Sequence, residues 1–130
     1  MIKNIFRAFL PPIVVFWIHA FLIFGFNAYA HVPMLDVPMH FFGGASIAMT
    51  ASLLYRLGLK YHSVPSMRVV LRLFLITCIV TWVAVLWEFA EFLSDATLHT
   101  FMQAGIRDTM GDLLLGMMGG LTGAALMNKR

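Results

Sequence analysis

Residues 69–92 read VVLRLFLITCIVTWVAVLWEFAEF, and this stretch is the most apolar part of the chain. Arg72 is its one basic residue, and its acidic residues, Glu88 and Glu91, come only near its end. A transmembrane helix needs about 20 consecutive, mostly apolar residues. Because the stretch meets that length, it is predicted to be a transmembrane helix with two carboxylates in its last turns.

Three more apolar stretches of similar length lie around it, over residues 8–28, 39–59 and 109–127. The first also resembles a secretory signal sequence, but its apolar run is longer than a usual signal core, so we expect it to be retained. Numbering the spans one to four in chain order, the sequence predicts an all-α, polytopic membrane protein. We expect a four-transmembrane-helix bundle that forms one transmembrane domain over residues 1–130.

The composition is that of a membrane protein. Hydrophobic residues make up 61% of the chain and charged residues 12%, whereas soluble domains carry about 25% charged residues. The pI of about 9.4 does not indicate nucleic-acid binding, because Lys and Arg flank the apolar stretches instead of forming one basic stripe. Membrane lipids are therefore the expected partners, and no nucleic acid is expected. The single cysteine excludes a disulfide within the chain and a cysteine-based metal site.

The charged residues predict an orientation. Loops rich in Lys and Arg stay on the cytoplasmic side of a membrane. Most of the basic residues fall on one side of the four-span arrangement, namely Lys3, Arg7, Arg56, Lys60, Arg68, Arg72, Lys129 and Arg130. Both termini are therefore predicted to be cytoplasmic, and Arg107 and all the acidic residues are predicted to lie on the outer side.

Spans two, three and four each carry a pair of potential ligands near their outer ends. Residues three or four apart lie on the same face of a helix, so both members of a pair can point the same way. The pairs are Asp36 with His40, Glu88 with Glu91, and Asp108 with Asp112. We expect these pairs to face the interior of the bundle, because a carboxylate that faces lipid is costly.

Several carboxylates in one buried place repel each other. Arg107 and a protonated His40 can neutralise at most two of them, so the rest must take up protons or bind a cation. One or two divalent ions meet this need, with Mg²⁺, Mn²⁺ or Ca²⁺ favoured by oxygen-rich ligands and Zn²⁺ or iron as alternatives. The predicted metal ligands are Asp36, His40, Glu88, Glu91, Asp108 and Asp112.

A purely structural interpretation accounts for part of this pattern. A carboxylate in the first turn of a helix stabilises the helix dipole, which is sufficient for Asp36 and Asp108. It does not account for Glu88 and Glu91, because the end of a helix disfavours anions. We further expect Asp95 to be a solvated loop residue. His19 is expected to be a packed histidine rather than a ligand. The loop that carries His99 is expected to cover the site.

Small residues recur at spacings of four on span four. Gly116 with Gly120 and Gly119 with Gly123 form two overlapping pairs of the kind that lets helices approach closely. Such contacts would bring the acidic ends of spans two, three and four together. The same pattern is compatible with a homo-oligomer through the Gly-rich fourth span.

The motifs together resemble a known family. DVPMHFFGG at residues 36–44, WEFAE at 87–91, and DTMGD at 108–112 followed by Gly116 and Gly120 resemble the YjdF-type family of bacterial inner-membrane proteins. The resemblance implies a multi-pass protein of the bacterial inner (cytoplasmic) membrane and points to the same site residues, but it implies no reaction. A more distant similarity links the chain to the VanZ-like group, from which it departs at Glu91 and Asp112.

Three functions remain open at this point. The first is a divalent-metal-dependent enzyme that acts on a lipid or lipid-linked phosphate at the outer leaflet, with His40 and Glu91 as its catalytic residues. The second is a protein that binds or transports divalent cations or protons. The third is a non-catalytic accessory membrane protein whose carboxylates form a protonated, hydrogen-bonded network.

Overall fold

The structure, a computed structural model, describes residues 2–26, 28–98, 100 and 102–128. The fold is all-helical, as predicted. Its helices are α1 (Ile2–Ala8), α2 (Leu10–Phe26), α3 (Ala28–His31), a 3₁₀ turn (Pro33–Leu35), α4 (Asp36–Lys60), α5 (Val69–Leu98) and α6 (Ile106–Asn128). His99, Lys129 and Arg130, which the sequence analysis placed, lie outside the described residues.

Three helices are long and apolar enough to cross a membrane, namely α4, α5 and α6. They correspond to predicted spans two to four, and all three extend beyond the predicted limits, mainly at the helix ends that carry the acidic residues. A fourth span exists only if α1 and α2 are counted as one broken span. The chain is therefore membrane-embedded, whereas the four-span count and the sides of the termini stay predictions.

The predicted first span is not one continuous helix. It breaks between Ala8 and Leu10, and the two segments are bent by 43°. Pro11 and Pro12 explain the break, since proline has no backbone N–H and its ring collides with the carbonyl four residues earlier. For Pro12 that carbonyl belongs to Ala8. Thr50 on α4 donates a 2.8 Å hydrogen bond to it instead, which joins the bent segment to the bundle.

Glycines bring α4 and α6 into backbone contact. A Cβ atom added to Gly44 would lie 1.9 Å from the carbonyl oxygen of Gly116, and one added to Gly119 would lie 1.9 Å from that of Phe41. Both distances are shorter than any contact that two non-bonded atoms tolerate. The small residues predicted to pack helices therefore do so within this chain. A homo-oligomer through span four stays a prediction.

The direction of the helices sets where the charges meet. α5 runs opposite to α4 and α6, so the start of α4, the end of α5 and the start of α6 lie at one end of the bundle, the acidic end. Between the two ends is a small apolar core of Ala48, Ile76, Val80 and Ala124. Large apolar side chains such as Trp17, Phe24 and Phe74 are exposed on the outside of the bundle, as expected for a surface in contact with lipid.

Candidate metal centre

His40 is the central residue of the acidic end. It lies one turn into α4 and is only 9% exposed. Its Nε2 atom is 3.2 Å from Oδ1 of Asp36, which precedes it by four residues on the same helix. Pro38 lies between them in the first turn, where a missing N–H costs nothing because that turn has no carbonyl to bind. The start of α4 therefore presents a carboxylate and an imidazole on one face.

The two neighbouring helices place carboxylates on both sides of the His40 ring. From α6, Oδ1 of Asp112 is 3.9 Å from Nε2 of His40. From α5, Oε1 of Glu88 is 3.8 Å from Nδ1 of His40. Glu88 and Asp112 are 6% and 5% exposed, so both are removed from water. Side chains that are 48 and 72 residues from His40 in sequence thus meet at one imidazole.

These contacts form two overlapping groups of potential metal ligands. In one, ligand atoms of Asp36, His40 and Asp112 all lie within 4.8 Å of one another; in the other, those of His40, Glu88 and Glu91 do. The 3.8 and 3.9 Å contacts are longer than hydrogen bonds, which measure about 2.7–3.2 Å. Two ligands of one octahedral ion lie about 3–4 Å apart, since each is about 2.1 Å from the ion. The separations therefore suit a shared ion better than direct hydrogen bonds.

Two of the carboxylates are held by neutral donors. Nε1 of Trp87 donates a 2.7 Å hydrogen bond to Oε1 of Glu91. Nε2 of Gln103 lies 3.3 Å from Oε2 of Glu88 and from its backbone oxygen. The other carboxylate oxygen of Glu88, Oε1, is buried and has no hydrogen-bond partner among the described residues. A buried carboxylate oxygen that faces His40 without a donor is an acceptor for a proton or a cation.

Asp95 holds the connection between α5 and α6, which places Gln103 next to Glu88. Its Oδ1 accepts hydrogen bonds from the Thr100 hydroxyl at 2.6 Å and the Met102 amide at 2.9 Å, and its Oδ2 accepts one from the Gln103 amide at 2.9 Å. Asp95 was expected to be a solvated loop residue; it is partly exposed, but the loop assignment is wrong. Asp95 belongs to the last turn of α5, and its carboxylate pins the following backbone so that Gln103 reaches Glu88.

Two residues of the predicted constellation stay apart from it. Asp108 is in neither ligand group, and its Oδ2 accepts a 3.1 Å hydrogen bond from the Ala104 amide at the start of α6. This contact agrees with the helix-start interpretation of Asp108. Arg107 is exposed and forms no ion pair with any described carboxylate. No arginine or lysine from the described part of the chain therefore neutralises the centre.

An apolar cavity of about 250 Å³ opens beside His40. Its walls come from α2, α4, α5 and α6 and include Phe16, His19, Ile47 and Trp87. His19 is buried, as expected of a packed histidine, and its ring meets the Trp87 ring edge-on at 5.0 Å. The cavity thus lies between the broken first span and the ligand groups.

Three residues of the centre were not predicted from the sequence. Trp87 had no assigned role there, His19 was not placed near the other ligands, and Gln103 was not among the candidate residues. Trp87 precedes Glu91 by four residues, so the i,i+4 rule could have suggested their hydrogen bond. No local pattern connects Gln103 to Glu88, because that contact depends on the α5–α6 loop. None places His19 in the same cavity as His40 either, because that depends on the packing of α2.

No curated protein and no solved structure matches the chain. The resemblances to YjdF-type and VanZ-like proteins therefore stay predictions. A family model does match, and it spans residues 1–130, the same residues that carry the apolar helices and the acidic centre. Since the match covers the whole chain, the protein belongs to the family described as predicted membrane protein DUF2238.

Proposed function

We propose that this protein is a membrane enzyme that binds a divalent cation at the centre around His40 and acts on a lipid or lipid-linked phosphate. One observation carries the proposal. Carboxylates from α4, α5 and α6 converge on both ring nitrogens of one buried histidine, at separations suited to shared coordination. No arginine or lysine of the described residues offsets their charge. A bound cation removes the repulsion that otherwise opposes this packing.

The contacts favour one position for the ion. Asp36, Asp112 and Nε2 of His40 supply three ligands on one side of the ring. Glu88 lies on the other side, facing Nδ1. Metal-bound histidines commonly have a carboxylate facing their second ring nitrogen, which helps to fix the ring orientation. In this assignment Glu88 positions His40, and the oxygen-rich ligands favour Mg²⁺, Mn²⁺ or Ca²⁺ over Zn²⁺ or iron.

The apolar cavity beside His40 supports an amphiphilic substrate. A lipid chain placed against Phe16 and Ile47 would bring its polar head to the ligand groups. There a divalent ion would polarise a phosphoryl oxygen. Glu91, held by Trp87, is the proposed general base. In a bacterial inner membrane with both termini cytoplasmic, this centre would face the outer leaflet.

The packing below the centre disfavours a transport pathway. Gly44 and Gly116 are in backbone contact directly under His40. Further along α4, the hydroxyls of Ser46 and Ser52 are bonded to carbonyl oxygens of their own helix, at 2.7 and 2.8 Å. A cation that moved through the bundle would need acceptors along its route. The described helices offer carboxylates only at the acidic end, which favours an ion that stays in place.

Metal binding is the first test. The full-length protein, purified in detergent and stripped with a chelator, is titrated with Mn²⁺ and followed by electron paramagnetic resonance. We expect about one tightly bound Mn²⁺ per chain, and Asp112→Asn and His40→Gln should each weaken binding about tenfold or more. His62→Gln is the matched histidine control, since His62 is exposed in the α4–α5 loop, and it should bind as the wild type does.

Asp108→Asn distinguishes the ion position proposed from the structure, which excludes Asp108, from the ligand set predicted from the sequence, which includes it. Because Asp108 lies outside both ligand groups, its amide variant should keep its Mn²⁺. A loss equal to that of Asp112→Asn would contradict the proposed ion position. If the wild type binds no divalent ion at all, the proposal fails. The remaining hypothesis is then a non-catalytic accessory protein whose carboxylates form a protonated network.

Catalysis is tested separately, with Mn²⁺-loaded protein and radiolabelled phospholipids and polyprenyl phosphates in mixed micelles. Cleavage or transfer that is lost in Glu91→Gln, while Mn²⁺ binding is retained, supports the enzyme. Bound Mn²⁺ without any turnover across this panel contradicts it. Mn²⁺ flux into proteoliposomes would then identify a transporter.

A further inference from the structure

Another cavity, lined in part by polar residues, lies at the end of the bundle opposite to His40, which we call the basic end. Its volume is about 270 Å³. It opens between the end of α4, the start of α5 and the end of α6. Its lining residues are Ser52, Tyr55, Arg56, Leu59, Arg72, Ala124, Met127 and Asn128.

Two half-buried guanidinium groups face this cavity. Arg56 donates a hydrogen bond to the backbone oxygen of Met127, and Arg72 donates one to the side-chain oxygen of Asn128. Arg72 also lies 5.5 Å from the centre of the Tyr55 ring, and the Tyr55 hydroxyl accepts a 2.8 Å hydrogen bond from the Met67 amide. The tyrosine is thus tied to the α4–α5 loop and holds Arg72 in place.

The positive charge of the pair has no anionic partner in the described chain. Both guanidinium groups bind neutral oxygens, and neither forms an ion pair with a described residue. Every acidic residue lies at the acidic end or in the turn next to it. A guanidinium has five N–H donors, so one bond from Arg56 to the last turn of α6 leaves donors of that group for a ligand. Stabilising the end of α6 therefore explains only part of this arrangement.

We propose that the Arg56–Arg72 cavity binds a phosphate group. Paired guanidinium groups match phosphate in charge and in the geometry of their parallel N–H donors. Leu59, Ala124 and Met127 give the same cavity an apolar wall, which suits the glycerol and upper chain of a phospholipid. Basic pockets between transmembrane helices are known to bind anionic headgroups.

The depth of the two arginines also fits a lipid headgroup. Arg56 lies four residues before the end of α4, and Arg72 three residues after the start of α5. With a rise of about 1.5 Å per residue, both lie about 5–6 Å inside the helix ends. In a membrane-spanning helix this is the interfacial region, where lipid phosphates are found. The inference is independent of the proposed enzyme activity, because the two sites share no residue.

The first experiment needs no variant. Delipidated wild-type protein is titrated with dioleoyl phosphatidylglycerol and with dioleoylglycerol, which has the same chains without the phosphate, and native mass spectrometry measures binding. We expect phosphatidylglycerol to bind at least about tenfold more tightly than dioleoylglycerol. Equal binding of the two would overturn the proposal. Displacement of phosphatidylglycerol by millimolar inorganic phosphate would assign the site to free phosphate, and no displacement would assign it to the lipid headgroup.

The second experiment locates the binding. The double variant Arg56→Gln/Arg72→Gln should lose about tenfold or more in phosphatidylglycerol affinity. Lys60→Gln/Arg68→Gln removes the same charge from the same end of the bundle but outside the cavity, and should change the affinity by less than about twofold. Equal losses in both would show diffuse charge attraction and overturn the site.

A conservative variant guards against a folding defect. Arg56→Lys/Arg72→Lys keeps both charges but cannot form paired N–H contacts, and we expect about a threefold to tenfold loss of phosphatidylglycerol affinity. Affinity equal to that of the wild type would overturn the role given to the guanidinium groups. Mn²⁺ binding at His40 should be unchanged in this variant, which keeps the result distinct from the proposed metal centre.

Discussion

The indole of Trp87 donates a 2.7 Å hydrogen bond to the carboxylate of Glu91, one turn further along α5. The same indole contacts α2 through the rings of His19 and Phe16, whose centres are 5.0 and 6.2 Å away. Trp87 therefore couples the position of the first, broken span to a side chain of the acidic centre. Trp87 thus forms part of the wall of the apolar cavity and also orients the Glu91 carboxylate.

Replacing Trp87 with Phe keeps an aromatic ring but removes the donor to Glu91. We expect lipid turnover to fall about tenfold, the size of effect seen when a partner of a metal-site residue is removed, while Mn²⁺ binding is retained, because Glu91 is the proposed general base. Trp82→Phe is the matched control, since Trp82 is 65% exposed on the same helix. Equal behaviour of the two variants would show that the Trp87 hydrogen bond has no functional role.

Thr50 should stabilise the break in the first span. Thr50→Val keeps the shape of the side chain but leaves the carbonyl of Ala8 without its donor. An unsatisfied buried carbonyl costs about 1–3 kcal/mol, so the free energy of unfolding in detergent should fall by that amount. Thr77→Val is the control, because the Thr77 hydroxyl bonds only to Leu73 within its own helix. A loss of less than about 0.5 kcal/mol for Thr50→Val would contradict this account.

Gly44 and Gly43 offer a matched pair on α4. A methyl group at Gly44 would collide with the backbone of Gly116, whereas one at Gly43 would meet no atom within 4 Å. Gly44→Ala should force α4 and α6 apart and cost about 1–3 kcal/mol or more, measured by thermal unfolding in detergent. Gly43→Ala should be neutral or slightly stabilising, because alanine favours helix over glycine. The reverse order of stabilities would show that the α4–α6 contact is not as close as described.

Asp95 should control the order of the α5–α6 connection. Asp95→Ala removes the acceptor for the Met102 and Gln103 amides. Hydrogen exchange at those two amides should then speed up about tenfold or more, since a bond to a charged acceptor is lost. Thr97→Ala is the control, as the Thr97 hydroxyl bonds to Leu93 within α5. Unchanged exchange in Asp95→Ala would mean that other contacts hold the loop.

Loss of order in the α5–α6 connection should also affect metal binding at the acidic end. Asp95 holds the backbone of Gln103, whose side chain contacts Glu88, so Asp95→Ala should weaken Mn²⁺ binding by about threefold to tenfold. The effect should be smaller than that of His40→Gln, because Asp95 binds no ion in the proposed centre. An effect as large as that of His40→Gln would instead place Asp95 among the ligands.

The differences between prediction and structure have identifiable causes. Hydropathy alone placed a continuous helix across Pro11 and Pro12, although these two residues were the available sign of a break. Asp108 lies outside both ligand groups and accepts a hydrogen bond from the Ala104 amide, so its role as a metal ligand stays a prediction. In the first span a local backbone requirement outweighed the hydropathy on which the prediction was based.

The amino-acid sequence by itself determined that the chain is an all-helical membrane protein with acidic and basic residues at opposite ends of its helices. It also determined which side chains share a helical face, because hydropathy, charge and helical period are local properties. Only the tertiary structure decided that His40 is the meeting point of Asp36, Glu88 and Asp112. It also decided that Gln103 contacts Glu88 and that His19 lines the same cavity as His40. Those contacts depend on the rotation of each helix about its axis and on the distance between packed helices. Neither quantity can be read from residues that are neighbours in sequence.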